Sequence, residues 1–140
     1  MLQVIQSLSC LHVFIVAAVG FFFGWLWYSP VMFNKAWVDE MQKSSQALAN
    51  LKGRMRQATA VAFFFTLLST FGLAVLFAAH PTAGAVKGAE FGAFVGAVVV
   101  GARMLNSSVW ENRSARLLRI NIGHEILLFA LQGALLGCWR

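Results

Sequence analysis

The chain has 140 residues, of which 59% are hydrophobic and only 11% charged, with a formal net charge of +6; soluble domains average about 45–50% apolar and about 25% charged. With a mean hydropathy of +0.71, too few polar residues remain to cover a soluble globule, which argues against a soluble enzyme, a disordered chain, a coiled coil or a disulfide scaffold and leaves an integral membrane protein. The basic residues stand in blocks beside long apolar runs, so their charge points to membrane orientation and anionic lipid head groups, with no nucleic-acid partner.

A bilayer core about 30 Å thick requires roughly 20 apolar residues as helix, and four stretches meet or approach that length. The expected fold is all-α: one domain over residues 1–140, a four-helix transmembrane bundle with a short amphipathic interfacial helix after the first span. The first span covers about 4–27 and carries no charge; it is too long for the core of a cleavable signal, and no Lys or Arg precedes Lys35. Trp25, Trp27 and Tyr28 close it, where amphipathic rings favour the membrane interface. Ser29-Pro30 then reads as an N-cap followed by proline at the first helical position. A surface helix through Phe33 and Trp37 is expected to follow, with Trp25, Trp27, Tyr28, Phe33 and Trp37 as interfacial anchors. The second span covers about 58–79 and ends at His80-Pro81. The third, about 84–105, is interrupted by Lys87, Glu90 and Arg103. The fourth, about 117–139, carries Asn121, His124, Glu125 and Gln132. No stretch alternates apolar and polar as a barrel strand does.

Loops 28–57 and 106–116, with their flanks, hold Lys35, Lys43, Lys52, Arg54, Arg56, Arg103, Arg113, Arg116 and Arg119, against Lys87 and Arg140 on the other side. The positive-inside rule therefore puts both loops in the cytoplasm and both termini in the periplasm of a bacterial inner membrane.

The stretch Trp27-Tyr28-Ser29-Pro30-Val31-Met32-Phe33-Asn34-Lys35-Ala36-Trp37, preceded by Gly24, resembles the signature of a family of small bacterial membrane proteins catalogued as domain of unknown function seventeen sixty-one. Asn34 stands where the family usually has glycine, and His124, after Asn121, stands in place of an aromatic residue. The resemblance implies a four-helix inner-membrane protein and implies no activity.

Gly84, Gly88, Gly92 and Gly96 recur every four residues in the third span, beside Ala85, Ala89, Ala93, Ala97 and Gly101. Such spacing puts small residues on one face and lets another backbone approach, as the seam of a homo-oligomer or a pore lining, or as tight packing within one four-helix bundle. His124-Glu125 lacks the second histidine of a zinc-protease motif, since Leu128 occupies its place. Glu125 is expected to pair with Arg103 or to serve a proton or ion path. His12 and Glu90 fall at similar depth, so they either form an imidazole–carboxylate pair or Glu90 extends towards the surface beside Lys87. Thr66, Ser69 and Thr70 are expected to bond their own helix carbonyls or a neighbouring helix. Cys10 and Cys138 both fall towards the outer face, Cys10 some two turns deeper, as a disulfide or as two small apolar residues. No catalytic residue, metal ligand set or cofactor motif emerges. The expected partners are the lipid bilayer and either further copies of the chain or the subunits of a larger membrane complex. The functional expectation is a small oligomeric channel or transporter, not an enzyme; the alternative is an accessory or scaffold subunit.

Overall fold

The computed structural model describes residues 8–42, 54–80, 84–111 and 113–139. These form five helices: α1 (Cys10–Trp27), α2 (Asn34–Gln42), α3 (Met55–Ala79), α4 (Ala85–Glu111) and α5 (Ala115–Cys138). All but α2 are long and apolar enough to cross a membrane, so the chain is a multi-pass membrane protein built as the composition requires. Lys43, Lys52 and the polar stretch 44–50 lie outside the described residues.

Local chemistry sets the helix ends. Ser9 caps α1 by accepting the His12 amide at 3.4 Å, which makes Cys10 the first residue of α1, not one two turns inside it. α3 stops at His80, whose φ of −125° and ψ of 89° are the extended values required before Pro81. Ser114 caps α5 by accepting the Leu117 amide at 3.1 Å, so α5 starts before the expected residue 117. α4 runs to Glu111, past the expected 105. Ser29-Pro30 does not open a helix: residues 28–33 are turns, and α2 begins at Asn34.

α1 packs against α3 and α5, and α4 lies along α5. The core is Val16, Leu73, Ala74 and Phe77, almost wholly covered, with Phe129 and Leu136. Large apolar side chains such as Phe64, Phe94 and Val98 stay exposed, as lipid-facing surfaces do. The chain turns place the described basic residues of both loops at one end: α2 touches α5 there, with Arg116 Nη1 3.9 Å from Glu40 Oε1. At the other end His12 stacks on Trp139, with ring centroids 4.6 Å apart.

The glycine ladder packs inside the chain. Gly84, Gly88, Gly92 and Gly96 face Gly137, Gly133, Phe129 and Glu125 in an antiparallel register that steps by four on both helices. A Cβ at Gly88 would collide with the Gly133 carbonyl, and one at Gly92 with that of Phe129. Gly84, at φ +91°, turns the chain so that its amide donates to the Gly137 carbonyl at 3.0 Å. Beyond Gly96 the helix widens into a π segment, Gly96–Gly101. Buried positions on α4 run 88, 92, 96 and then 101, one residue longer than an α-helical step.

Candidate functional site

The motif after α1 folds back on itself. The Phe33 amide donates to the Trp27 carbonyl at 3.1 Å and the Asn34 amide to the Ser29 carbonyl at 3.2 Å. The Asn34 side-chain Nδ2 donates to the Tyr28 carbonyl at 3.0 Å. Pro30 occupies a turn position that uses no amide hydrogen. Phe33 is thereby returned to Trp27, with ring centroids 4.5 Å apart, and Trp37 to Tyr28 at 5.9 Å.

This turn closes over His124. Phe23 stacks on the imidazole at 5.8 Å, and Tyr28 and Trp27 tilt against it at 5.1 and 6.1 Å. Gly24 leaves the room: a Cβ there would stand 3.1 Å from His124 Nε2. Imidazole Nδ1 lies 3.1 Å from Glu125 Oε1. The Tyr28 hydroxyl donates to Asn121 Oδ1 at 3.1 Å. Burial first, and the Glu125 charge second, raise the Tyr28 phenol well above its ordinary range, so it remains a donor.

One and two turns further along, Gly20 does for Gln132 what Gly24 does for His124, since a Cβ at Gly20 would stand 2.7 Å from Gln132 Nε2. Gln132 is fully buried and donates to Thr70 Oγ1 at 2.8 Å. Thr70 in turn donates to the Thr66 carbonyl at 2.7 Å, and Thr66 and Ser69 likewise bond carbonyls of α3. Asn121, His124 and Gln132 thus line the face of α5 turned to α1. Along this face four buried polar atoms have no hydrogen-bond partner among the described residues: Trp27 Nε1, Ser29 Oγ, His124 Nε2 and Gln132 Oε1. Buried polar atoms are nearly always paired, so four orphans on one interface mark it out from the rest of the interior. Beside them, between α1, α3 and the motif turn, is a cavity of about 510 Å³ lined by Gly24, Tyr28, Asn34, Trp37, Thr59 and His124 among others.

The structure brings together Trp27, Tyr28, Phe33, Trp37, Asn121, His124 and Glu125. Trp27 is buried, and Phe33 and Trp37, half-buried, pack against the motif's own rings, so these three brace the site. Trp25 alone of the five stays largely exposed, beside Phe22. His12 and Glu90 do not meet: His12 is covered by Trp139, and Glu90 reaches Lys87 at 3.6 Å on an exposed surface. Glu125 faces His124, not Arg103, which lies in a separate crevice with Asn121. Cys10 and Cys138 are exposed free thiols. Among the described residues no three His, Cys, Asp or Glu side chains converge as a metal site. Gln132, Ser29 and Gly20 were not foreseeable as a set, because polar residues in an apolar helix reveal a face only once the partner helix is known.

Four spanning helices, with an aromatic turn closing over a buried histidine, define a small multi-pass membrane protein with a polar interior face. The chain belongs to the family described as protein of unknown function (DUF1761), whose family model matches residues 11–137 and so includes both the turn and α5. No curated protein and no solved structure matches the chain.

Proposed function

We propose that the protein is a small transporter of a bacterial inner membrane, and not an enzyme, carrying a solute that combines an apolar body with a hydrogen-bonding group. The observation that carries this reading is the row of unsatisfied buried polar atoms beside the 510 Å³ cavity. Such atoms are costly in a membrane interior, and a solute that exchanges hydrogen bonds with them offsets the cost as it moves. The aromatic and apolar walls suit the solute's body; Tyr28, Asn34, Thr59 and His124 suit its polar group. A scaffold subunit has no need of unsatisfied polar atoms between two of its own helices. By the positive-inside rule the motif end is cytoplasmic and both termini are periplasmic. The glycine ladder is covered by α5, so an oligomer would form through other faces, such as the row of Ala85 and Ala97, which stay exposed.

The test is release from proteoliposomes loaded with a mixture of small neutral and weakly basic amphiphiles, with the exterior followed by mass spectrometry. At least one component should leave faster than from protein-free vesicles, and His124→Ala should abolish the difference without loss of the folded helices. If no component leaves faster, the transporter reading fails, and a stoichiometric co-purifying chain would mark the accessory-subunit alternative.

A further inference from the structure

The second crevice lies between the last two turns of α4 and the start of α5. It has a volume of about 210 Å³ and is lined by Arg103, Ser107, Glu111, Arg113 and Asn121, with an apolar floor that includes Leu118. The π segment immediately precedes it. Its extra residue rotates everything after Gly101 by about 100° relative to an unbroken helix, which brings Arg103, Ser107 and Glu111, four residues apart, to this crevice.

Arg103 sits two turns inside the end of α4, about 12 Å from Glu111 at 1.5 Å per residue. A cation at that depth requires an anion or a route to the head groups. The chain has five acids, all of them among the described residues. Glu111 is held by Arg113, whose Nε is 2.6 Å from Oε2. Glu125 faces His124, Glu40 faces Arg116, and Glu90 pairs with Lys87 at the far end. Asp39 is exposed on α2. Among the described residues Arg103, whose side chain is exposed, has neither an ion pair nor a hydrogen bond, so a counter-ion would have to come from outside the chain.

We propose that this crevice binds a phosphate group, with the Arg103 guanidinium as its principal ligand and Ser107 Oγ, the Asn121 amide and Arg113 as further donors. A planar guanidinium matches phosphate oxygens with two parallel hydrogen bonds. Asn121 Oδ1 is already engaged by Tyr28, which leaves its amide hydrogens for the crevice. The phosphate comes either from the head group of an anionic lipid or from a free phosphate ester. This inference uses none of the groups on which transport depends except Asn121, and it stands whether or not the protein carries a solute.

The test uses the full chain in detergent. Native mass spectrometry measures retention of phosphatidylglycerol, with diacylglycerol as the lipid that lacks phosphate, and calorimetric titration measures inorganic phosphate binding. Wild-type protein should retain phosphatidylglycerol and not diacylglycerol, and Arg103→Gln should weaken that retention about ten- to a hundredfold. Binding of inorganic phosphate that is lost in Arg103→Gln, without retained lipid, would assign the site to a free phosphate ester. Ser107→Leu fills the crevice but keeps every arginine, so it should also abolish binding. Equal binding by wild type, Arg103→Gln and Ser107→Leu would overturn the proposal, as would binding of neither probe.

Discussion

Tyr28 is the chain's single tyrosine, and it stands where three parts of the protein meet: the motif turn, the His124 box and the α5 start. Its hydroxyl bond to Asn121 and its carbonyl bond from Asn34 tie the end of α1 to both α5 and α2. Burial, and next the charge of Glu125, hold the phenol protonated above its ordinary value of 10.0. The folded state therefore binds this proton more tightly than the unfolded chain does. The resulting stability is complete below the unfolded pKa and is lost as pH rises from there towards the folded value. Ultraviolet phenolate absorbance should stay absent from the folded protein at a pH where free tyrosine is ionised, and appear on unfolding at the same pH. A titration at the free-tyrosine value in folded protein would show that the ring is solvated. Tyr28→Phe removes the Asn121 bond and should cost about 0.5–1.5 kcal/mol, read as a lower melting temperature.

At the level of elements, α4 and α5 act as one unit because glycines line the α4 side of the seam and, at Gly133 and Gly137, part of the α5 side. With lipid tails as apolar as leucine, close van der Waals contact holds the pair, and small residues let the two backbones approach. Gly92→Leu would drive its side chain into the Phe129 carbonyl. The variant should lose about 1–3 kcal/mol or more, with a broader size-exclusion profile and a lower melting temperature. An unchanged profile and melting temperature would mean that the two helices do not pack through this face. Past the π segment the seam opens, and α4 presents Arg103 and Ser107 to the crevice. The motif turn shows the same economy: Trp27 and Phe33 would be ordinary interfacial rings in an extended chain, and the turn converts them into the wall behind His124.

Over the whole molecule, the two ends differ in chemistry. The motif end carries the basic loops, Glu40–Arg116 and both crevices. The other end carries the His12–Trp139 stack, the exposed thiols and the short connection through Gly84. Of the eight basic residues among those described, seven belong to the motif side. A periplasm-dependent reporter fused after Arg140 should therefore be active, and the same reporter inserted between residues 43 and 53 should be silent. The reverse pattern would invert the orientation and place the His124 cavity at the periplasmic face.

The number of spans, their rough limits, the membrane setting and the family motif were all legible in the sequence, because hydropathy and signature residues act locally along the chain. The close-packing role of Gly84, Gly88, Gly92 and Gly96 was legible as a face but not as a partner. Which helices are neighbours was not legible at all. Helices in lipid are apolar all round, so periodicity does not say which side meets which helix. Depth matching alone brought His12 to Glu90 and Arg103 to Glu125; the structure separates the first pair because α1 packs on α3 and α5, and the second because the register of α4 on α5 sets Gly96, not Arg103, opposite Glu125. The same tertiary choice, with Gly20 and Gly24 of α1 opposite Gln132 and His124 of α5, creates the polar face on which the functional proposal rests.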